Sequence, residues 1–179
     1  EIVDLANYLN LMGARIKGAG TSTIKIEGVK QLVGREYTVI PDRIEASTFM
    51  AAAAITQGEV LIEDVILTHI DSIIAKFREA GISVKEYEDK VLVSAAGRPK
   101  AIDVKTLPYP GLPTDVQPIL GALLTLGDGT SIITETVFGN RFMYVDELKR
   151  MGAEIMMDGH SAIIVGVDHL EGTSVVSTD

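Results

Sequence analysis

The sequence predicts a mixed α/β fold assembled from repeated αβ units, and three observations carry that expectation. Three segments share one order of signals: an amphipathic helix, a glycine, a strand, a turn and a second strand. Between them lie two helical stretches that are apolar around most of their circumference, which predicts burial on most sides. Each of these stretches follows a Pro/Asp cap signal and leads through glycine into a β-branched run. The glycines closing the amphipathic helices are Gly13, Gly81 and Gly152, spaced 68 and 71 residues apart, too far for a common solenoid coil.

The elements follow in order. A helix over residues 4–12 ends at Gly13 and is followed by strands at Ala14-Arg15-Ile16 and Thr23-Ile24-Lys25-Ile26. Pro41-Asp42-Arg43-Ile44-Glu45 sets Asp42 and Glu45 in the spacing of a capping box ahead of the first buried helix, residues 48–56 with its four consecutive alanines. Gly58 then leads to a strand at Val60-Leu61-Ile62. Ile70, Ile73, Ile74 and Phe77 fall on one face of the next helix, and strands follow at Gly81-Ile82-Ser83-Val84 and Lys90-Val91-Leu92-Val93. Pro113-Thr114-Asp115 precedes the second buried helix, residues 118–126, with Pro118 in its first turn, where a missing N–H is tolerated. A glycine turn at 127–129 opens a strand at Ser131-Ile132-Ile133. Val145, Leu148 and Met151 mark the last helix, with strands at Gly152-Ala153-Glu154-Ile155 and Ala162-Ile163-Ile164-Val165. One unit thus reads buried helix, strand, amphipathic helix, strand, strand, with a further strand leading to the next cap. Asp42, Asp115 and Asp179 take equivalent cap positions, and the chain is expected to be a fragment with open ends.

Composition narrows the function. The apolar runs are far shorter than the roughly 20 residues that span a bilayer, so no membrane partner is expected, and no basic n-region opens the chain. The formal charge of −9 argues against nucleic acid, which is bound through a basic face. With no cysteine the chain has no disulfide and no thiol nucleophile, consistent with a cytoplasmic protein. His69, His160 and His169 show no metal-ligand spacing and no nucleotide-binding glycine motif occurs, so neither metal nor cofactor is expected.

The repeat resembles that of the enolpyruvyl transferase family, whose two domains are each built from three βαβαββ units with parallel buried helices. The resemblance runs along essentially the whole chain and is sharpest in Ile40-Pro41-Asp42-Arg43-Ile44-Glu45, in Pro108-Tyr109-Pro110-Gly111-Leu112-Pro113-Thr114-Asp115-Val116-Gln117 and in Thr134-Glu135-Thr136-Val137-Phe138-Gly139-Asn140-Arg141-Phe142-Met143. These motifs favour the branch acting on UDP-N-acetylglucosamine over the shikimate-pathway branch. Gly139 departs from the glutamate, and Leu112 from the phenylalanine, that the family often carries. The resemblance implies that residues 1–41 end one domain and residues 42–179 supply two of the three units of the other. It also implies enolpyruvyl transfer from phosphoenolpyruvate to the 3-hydroxyl of UDP-N-acetylglucosamine, a step of early peptidoglycan synthesis and so of cell-wall biogenesis, cell shape and division. The family's cysteine acid and phosphoenolpyruvate-binding lysine belong to segments outside this chain, so the isolated chain is expected to be inactive.

Such a reaction needs a base for the attacking hydroxyl. Taken alone, Asp115 reads as a helix cap; by the resemblance it is the carboxylate that contacts the sugar hydroxyl and takes its proton. Val137 and Phe138, which alone read as packing at a strand end, become substrate contacts by the same resemblance. Arg141 is a supporting candidate, and Asp179 matches an aspartate near phosphoenolpyruvate. The rival from another class is a repeat-built binding module without chemistry.

Overall fold

The structure, a computed structural model, describes residues 1–177. The chain divides into two compact units, Glu1–Pro41 and Asp42–Asp179. In the first, helix α1 (Ile2–Leu11) is followed by the antiparallel strands β1 (Arg15–Lys17) and β2 (Lys25–Glu27), paired at Ile16 and Ile26. The Asn10 side chain donates to the Ile16 carbonyl at 2.9 Å and accepts from the Ile16 N–H at 2.8 Å, pinning the strand to the end of the helix. Ala6 is the one buried residue described in this unit, while Ile2, Leu5 and Leu11 on α1 are at least half exposed.

The second unit opens on α2 (Arg43–Ile55), capped by Asp42, whose Oδ1 accepts from the N–H groups of Ile44 at 2.7 Å and Glu45 at 3.3 Å. Then come β3 (Glu59–Glu63), α3 (Leu67–Glu79), β4 (Ser83–Glu86), β5 (Lys90–Ser94) and β6 (Val104–Lys105). A 3-10 turn (Thr114–Val116) leads into α4 (Gln117–Leu124), followed by β7 (Thr130–Thr134), α5 (Tyr144–Arg150), β8 (Glu154–Asp158) and β9 (Ser161–Val165). Strand order is β3-β5-β4 in one sheet and β6-β7-β9-β8 in the other, so β7, β9 and β8 follow the order of β3, β5 and β4. All these pairs are antiparallel except β6 with β7, which run parallel.

Alternation fixes which face of each sheet is covered. Val91 and Val93 on β5, and Ala162 and Ile164 on β9, are fully buried at every second position. They share one contiguous core with Ile70, Ile73, Ile74 and Phe77, the α3 face that the spacing predicts, and with Met50 of α2, Leu120, Leu123 and Leu124 of α4 and Val145 of α5. The three glycines after the amphipathic helices all take the left-handed conformation, at φ 104° for Gly13, 81° for Gly81 and 93° for Gly152.

Two expectations are corrected. Helix α2 is not enclosed all round: Glu45, Thr48, Phe49, Ala52 and Thr56 form an exposed stripe at helical spacing, with Phe49 51% exposed. The helix lies on β3, β5, α3 and α4 with its other face, and nothing among the described residues covers the stripe. Asp115 is not the counterpart of the Asp42 cap either. It sits inside the 3-10 turn, and α4 starts after Val116 with no side-chain cap. The physical reason is Pro118: a cap at Asp115 would use the N–H groups two and three residues on, and the second of these is missing in proline. Asp179, the third expected cap, lies outside the described residues.

Candidate active site

β6 and β7 lie side by side in parallel, with Val104 opposite Ile133 and Lys105 opposite Thr134, so the chain leaves the same edge of the sheet after both. Carboxyl ends of adjacent parallel strands are where α/β proteins commonly build sites, because the departing loops converge there. The loop after β6 leads to Thr114 and Asp115, and the loop after β7 carries Val137 to Arg141. Together they line a pocket of about 620 Å³ formed by Thr114, Asp115, Val137, Phe138, Gly139, Asn140, Arg141 and Met143, within the size range of small-molecule sites.

The Asp115 carboxylate opens onto this pocket with its side chain 47% exposed, and its Oδ1 accepts from Arg141 Nη1 at 2.7 Å. The same guanidinium nitrogen lies 3.3 Å from Thr114 Oγ1, and the Arg141 carbon sits 5.7 Å from the centre of the Phe138 ring. Arg141 therefore contacts the aspartate directly and places its cation over the face of the aromatic wall. Gln117, fully buried on α4, donates to the Arg141 carbonyl at 3.2 Å and holds the backbone of that residue. Val137 and Phe138 are 40% and 53% exposed, so neither packs into the core at the strand end. Of the five residues proposed from the sequence, four thus meet in one pocket, and the fifth, Asp179, lies outside the described residues.

The sequence motifs contained a further residue whose role spacing could not show. Glu135, only 2% exposed, sits where β7 ends. Its Oε1 accepts from the N–H groups of Val137 at 2.7 Å and Phe138 at 3.0 Å and from Thr106 Oγ1 at 2.8 Å, while Oε2 accepts from Thr114 Oγ1 at 2.8 Å. Burial pushes this carboxyl up, but the hydrogen bonds from Phe138, Thr114, Thr106 and Val137 outweigh it and hold the group below its ordinary value. The nearby Tyr144 phenol is pushed up by burial and by the Glu135 charge. A signal existed in the sequence, an acidic residue inside an otherwise apolar and β-branched run, yet only the fold reveals its four donors.

His160, which the spacing left without a role, lies in the turn between β8 and β9 and touches this loop twice. Its carbonyl accepts from the Glu135 N–H at 2.9 Å, and its Nδ1 is 2.7 Å from the Gly139 carbonyl. A Cβ at Gly139 would meet no atom within 4 Å, so the departure from glutamate there imposes nothing on the loop's shape. Leu112, the other departure, is 5% exposed and fills part of the core.

Comparison with known proteins identifies the chain's relatives. The chain is 62% identical to UDP-N-acetylglucosamine 1-carboxyvinyltransferase 1 of Caldanaerobacter subterraneus subsp. tengcongensis, all of the chain aligning with 43% of the relative. It is 59% identical to UDP-N-acetylglucosamine 1-carboxyvinyltransferase 2 of Carboxydothermus hydrogenoformans, again over the whole chain and 43% of the relative. The chain therefore spans less than half the length of these curated relatives. Among solved structures, the enolpyruvyl transferase NikO from Streptomyces tendae superposes with a TM-score of 0.75 at 24% identity, over 92% of this chain and 40% of that one, a likeness of fold. The family model for EPSP synthase (3-phosphoshikimate 1-carboxyvinyltransferase) matches residues 1–179, and the chain belongs to that family.

Proposed function

We propose that this chain is part of a longer enzyme that transfers the enolpyruvyl group of phosphoenolpyruvate to the 3-hydroxyl of UDP-N-acetylglucosamine, in the cytoplasm and at an early step of peptidoglycan synthesis. The observation that carries the reading is the convergence of Asp115, Val137, Phe138 and Arg141 on one pocket. Relatives identical at 56–62% of positions across the chain and named for that activity support the choice of acceptor.

Asp115 accepts the hydrogen bond of the acceptor hydroxyl and takes its proton as the new C–O bond forms to the central carbon of phosphoenolpyruvate. A second proton goes to the methylene carbon from an acid outside this chain, and phosphate leaves when that carbon gives a proton back. Arg141 holds the Asp115 carboxylate toward the pocket through their 2.7 Å contact. Val137 and Phe138 form the wall against which the sugar nucleotide lies, and Asp179 faces phosphoenolpyruvate. On this reading residues 1–41 end one domain, and the matching runs α2 to β5 and α4 to β9 are two of three repeat units in the other, with α2 and α4 parallel. The exposed apolar face of α1 and the exposed stripe on α2 fit units whose neighbours lie elsewhere in the protein.

The test is phosphate release by the full-length protein with phosphoenolpyruvate and either UDP-N-acetylglucosamine or shikimate 3-phosphate as acceptor. Turnover with the sugar nucleotide is expected. Turnover only with the shikimate ester would move the protein to the other branch of its family, and turnover with neither would leave a binding module.

A further inference from the structure

We propose that Glu135 is a positioning residue that sets the Asp115 turn and the Val137–Phe138 wall at a fixed distance from each other, and so controls both proton transfer and nucleotide binding. The inference rests on the transferase reading above, but its observations are independent of it. A carboxylate has two oxygens in one rigid plane, and here each serves a different half of the site. Oε1 gathers the main-chain N–H groups of Val137 and Phe138, bending the chain sharply after β7. Oε2 takes the hydroxyl of Thr114, the residue immediately before Asp115. Thr106 completes the frame: its hydroxyl donates to Oε1 at 2.8 Å and accepts from the Thr136 N–H at 2.9 Å, joining the ends of the two parallel strands.

No other side chain described in this region reaches both loops in the same way. Arg141 also bridges them, from the Phe138 loop to Asp115, but its side chain is 19% exposed and at the pocket. Glu135 lies behind the pocket wall at 2% exposure and does not line the pocket. A charged acceptor with four donors in a place water does not reach is held far more firmly than a surface pair, because each hydrogen bond acts in a low local dielectric. Its position is correspondingly well defined. Glutamine at this position keeps the size and one acceptor oxygen, but it replaces the acceptor facing Thr114 by a donor and removes the charge. The Thr114 hydroxyl must then turn round, and its contact with Arg141 changes with it.

The test uses the full-length protein with E135Q and T114V, and with R98Q as a stability control. Arg98 donates to the carbonyls of Leu126, Gly127 and Val167 and pairs with Asp168, none of which lines the pocket. For E135Q, the Kd for UDP-N-acetylglucosamine should rise and kcat should fall, each by about tenfold, the scale of a sub-ångström displacement of reacting groups. The KM for phosphoenolpyruvate should stay within about twofold. T114V, which removes the Oε2 arm together with the longer 3.3 Å contact from Arg141, should lower kcat about tenfold with the Kd for the nucleotide nearly unchanged. R98Q should lower Tm and leave Kd and KM alone.

A merely structural Glu135 predicts a different pattern, in which E135Q behaves like R98Q, with fewer active molecules, a lower apparent kcat and wild-type Kd and KM; that result overturns the proposal. If E135Q does not fold, T114V decides: a wild-type kcat overturns it. Amide hydrogen exchange gives a readout that needs no activity. Peptides covering residues 113–117 and 135–141 should exchange faster together in E135Q, while the 135–141 peptide alone is unaffected in T114V. Should the wild-type protein turn over neither acceptor, the functional reading falls while this exchange pattern still supports or refutes the coupling.

Discussion

Asp115 and Glu135 show how two carboxylates one strand apart acquire different work. Asp115 is half exposed and paired with a single arginine, so its oxygens remain within reach of a substrate hydroxyl. Glu135 is enclosed and its hydrogen-bonding capacity is spent on the protein. D115N in the full-length protein should therefore cut turnover by about 100- to 10,000-fold, the usual worth of a positioned base, with nucleotide affinity and Tm near wild type. A folded mutant with more than about a tenth of wild-type turnover would remove Asp115 from the proton-transfer step. For Glu135 the pH dependence has a definite sign. Its folded value is depressed, so the unfolded chain takes up the proton first as pH falls, and the stability it contributes is present above about pH 4.3 and lost as pH drops through the lower folded value. Thermal melts from pH 7 to pH 3 should show a loss of Tm in that window that is smaller in E135Q, which starts lower at neutral pH. An equal acid slope in both proteins would show that other carboxylates carry the effect.

At the scale of elements, the strands are held to their turns by close backbone approach. The residue after β9, Gly166, donates its N–H to the Gly129 carbonyl at 2.9 Å, and a Cβ there would lie 1.7 Å from the Gly127 carbonyl oxygen. No side chain can yield to relieve this contact, because both partners are main chain. G166A should destabilise the protein by about 1–3 kcal/mol or more, as overpacking does, measured by denaturant titration, whereas G139A, which meets open space, should change little. Equal stability of the two variants would mean that the turn at 127–129 moves freely. The elements themselves were largely legible. The i, i+3, i+4, i+7 pattern of Ile70, Ile73, Ile74 and Phe77 names the buried face of α3 because a helix repeats every 3.6 residues. The α2 stripe was only partly legible: Glu45, Thr48 and Thr56 mark its polar positions, but nothing local separates the exposed Phe49 and Ala52 from the buried Met50, Ala51, Ala53 and Ala54 until the packing partners are known.

At the scale of the whole molecule, the pocket is lined by two loops and remains open to solvent at Val137 and Phe138. One wall orients one substrate at most, whereas the proposed reaction must hold two and keep water from the reacting centre. The chain covers 43% of its relatives' length. Purified as 179 residues, it should release no phosphate above background from phosphoenolpyruvate and UDP-N-acetylglucosamine; measurable turnover would show that this segment alone suffices for the proposed reaction.

The sequence by itself determined the class of fold, the order of its helices and strands, the left-handed glycines after three helices and four residues that meet in the pocket. The fold class, the element order and the glycines follow from local rules of periodicity and capping, whereas the four residues were singled out by the resemblance of their motifs to a known family. Tertiary structure alone decided that Asp115 pairs with Arg141 instead of capping a helix, and that Glu135 ties two loops together. Those outcomes depend on the parallel pairing of β6 with β7, which brings Thr106 beside Glu135 and Thr114 within reach of it across 21 residues of chain. A carboxylate's partners are set by which strand ends adjoin, and that adjacency is a property of the folded sheet that no local pattern encodes.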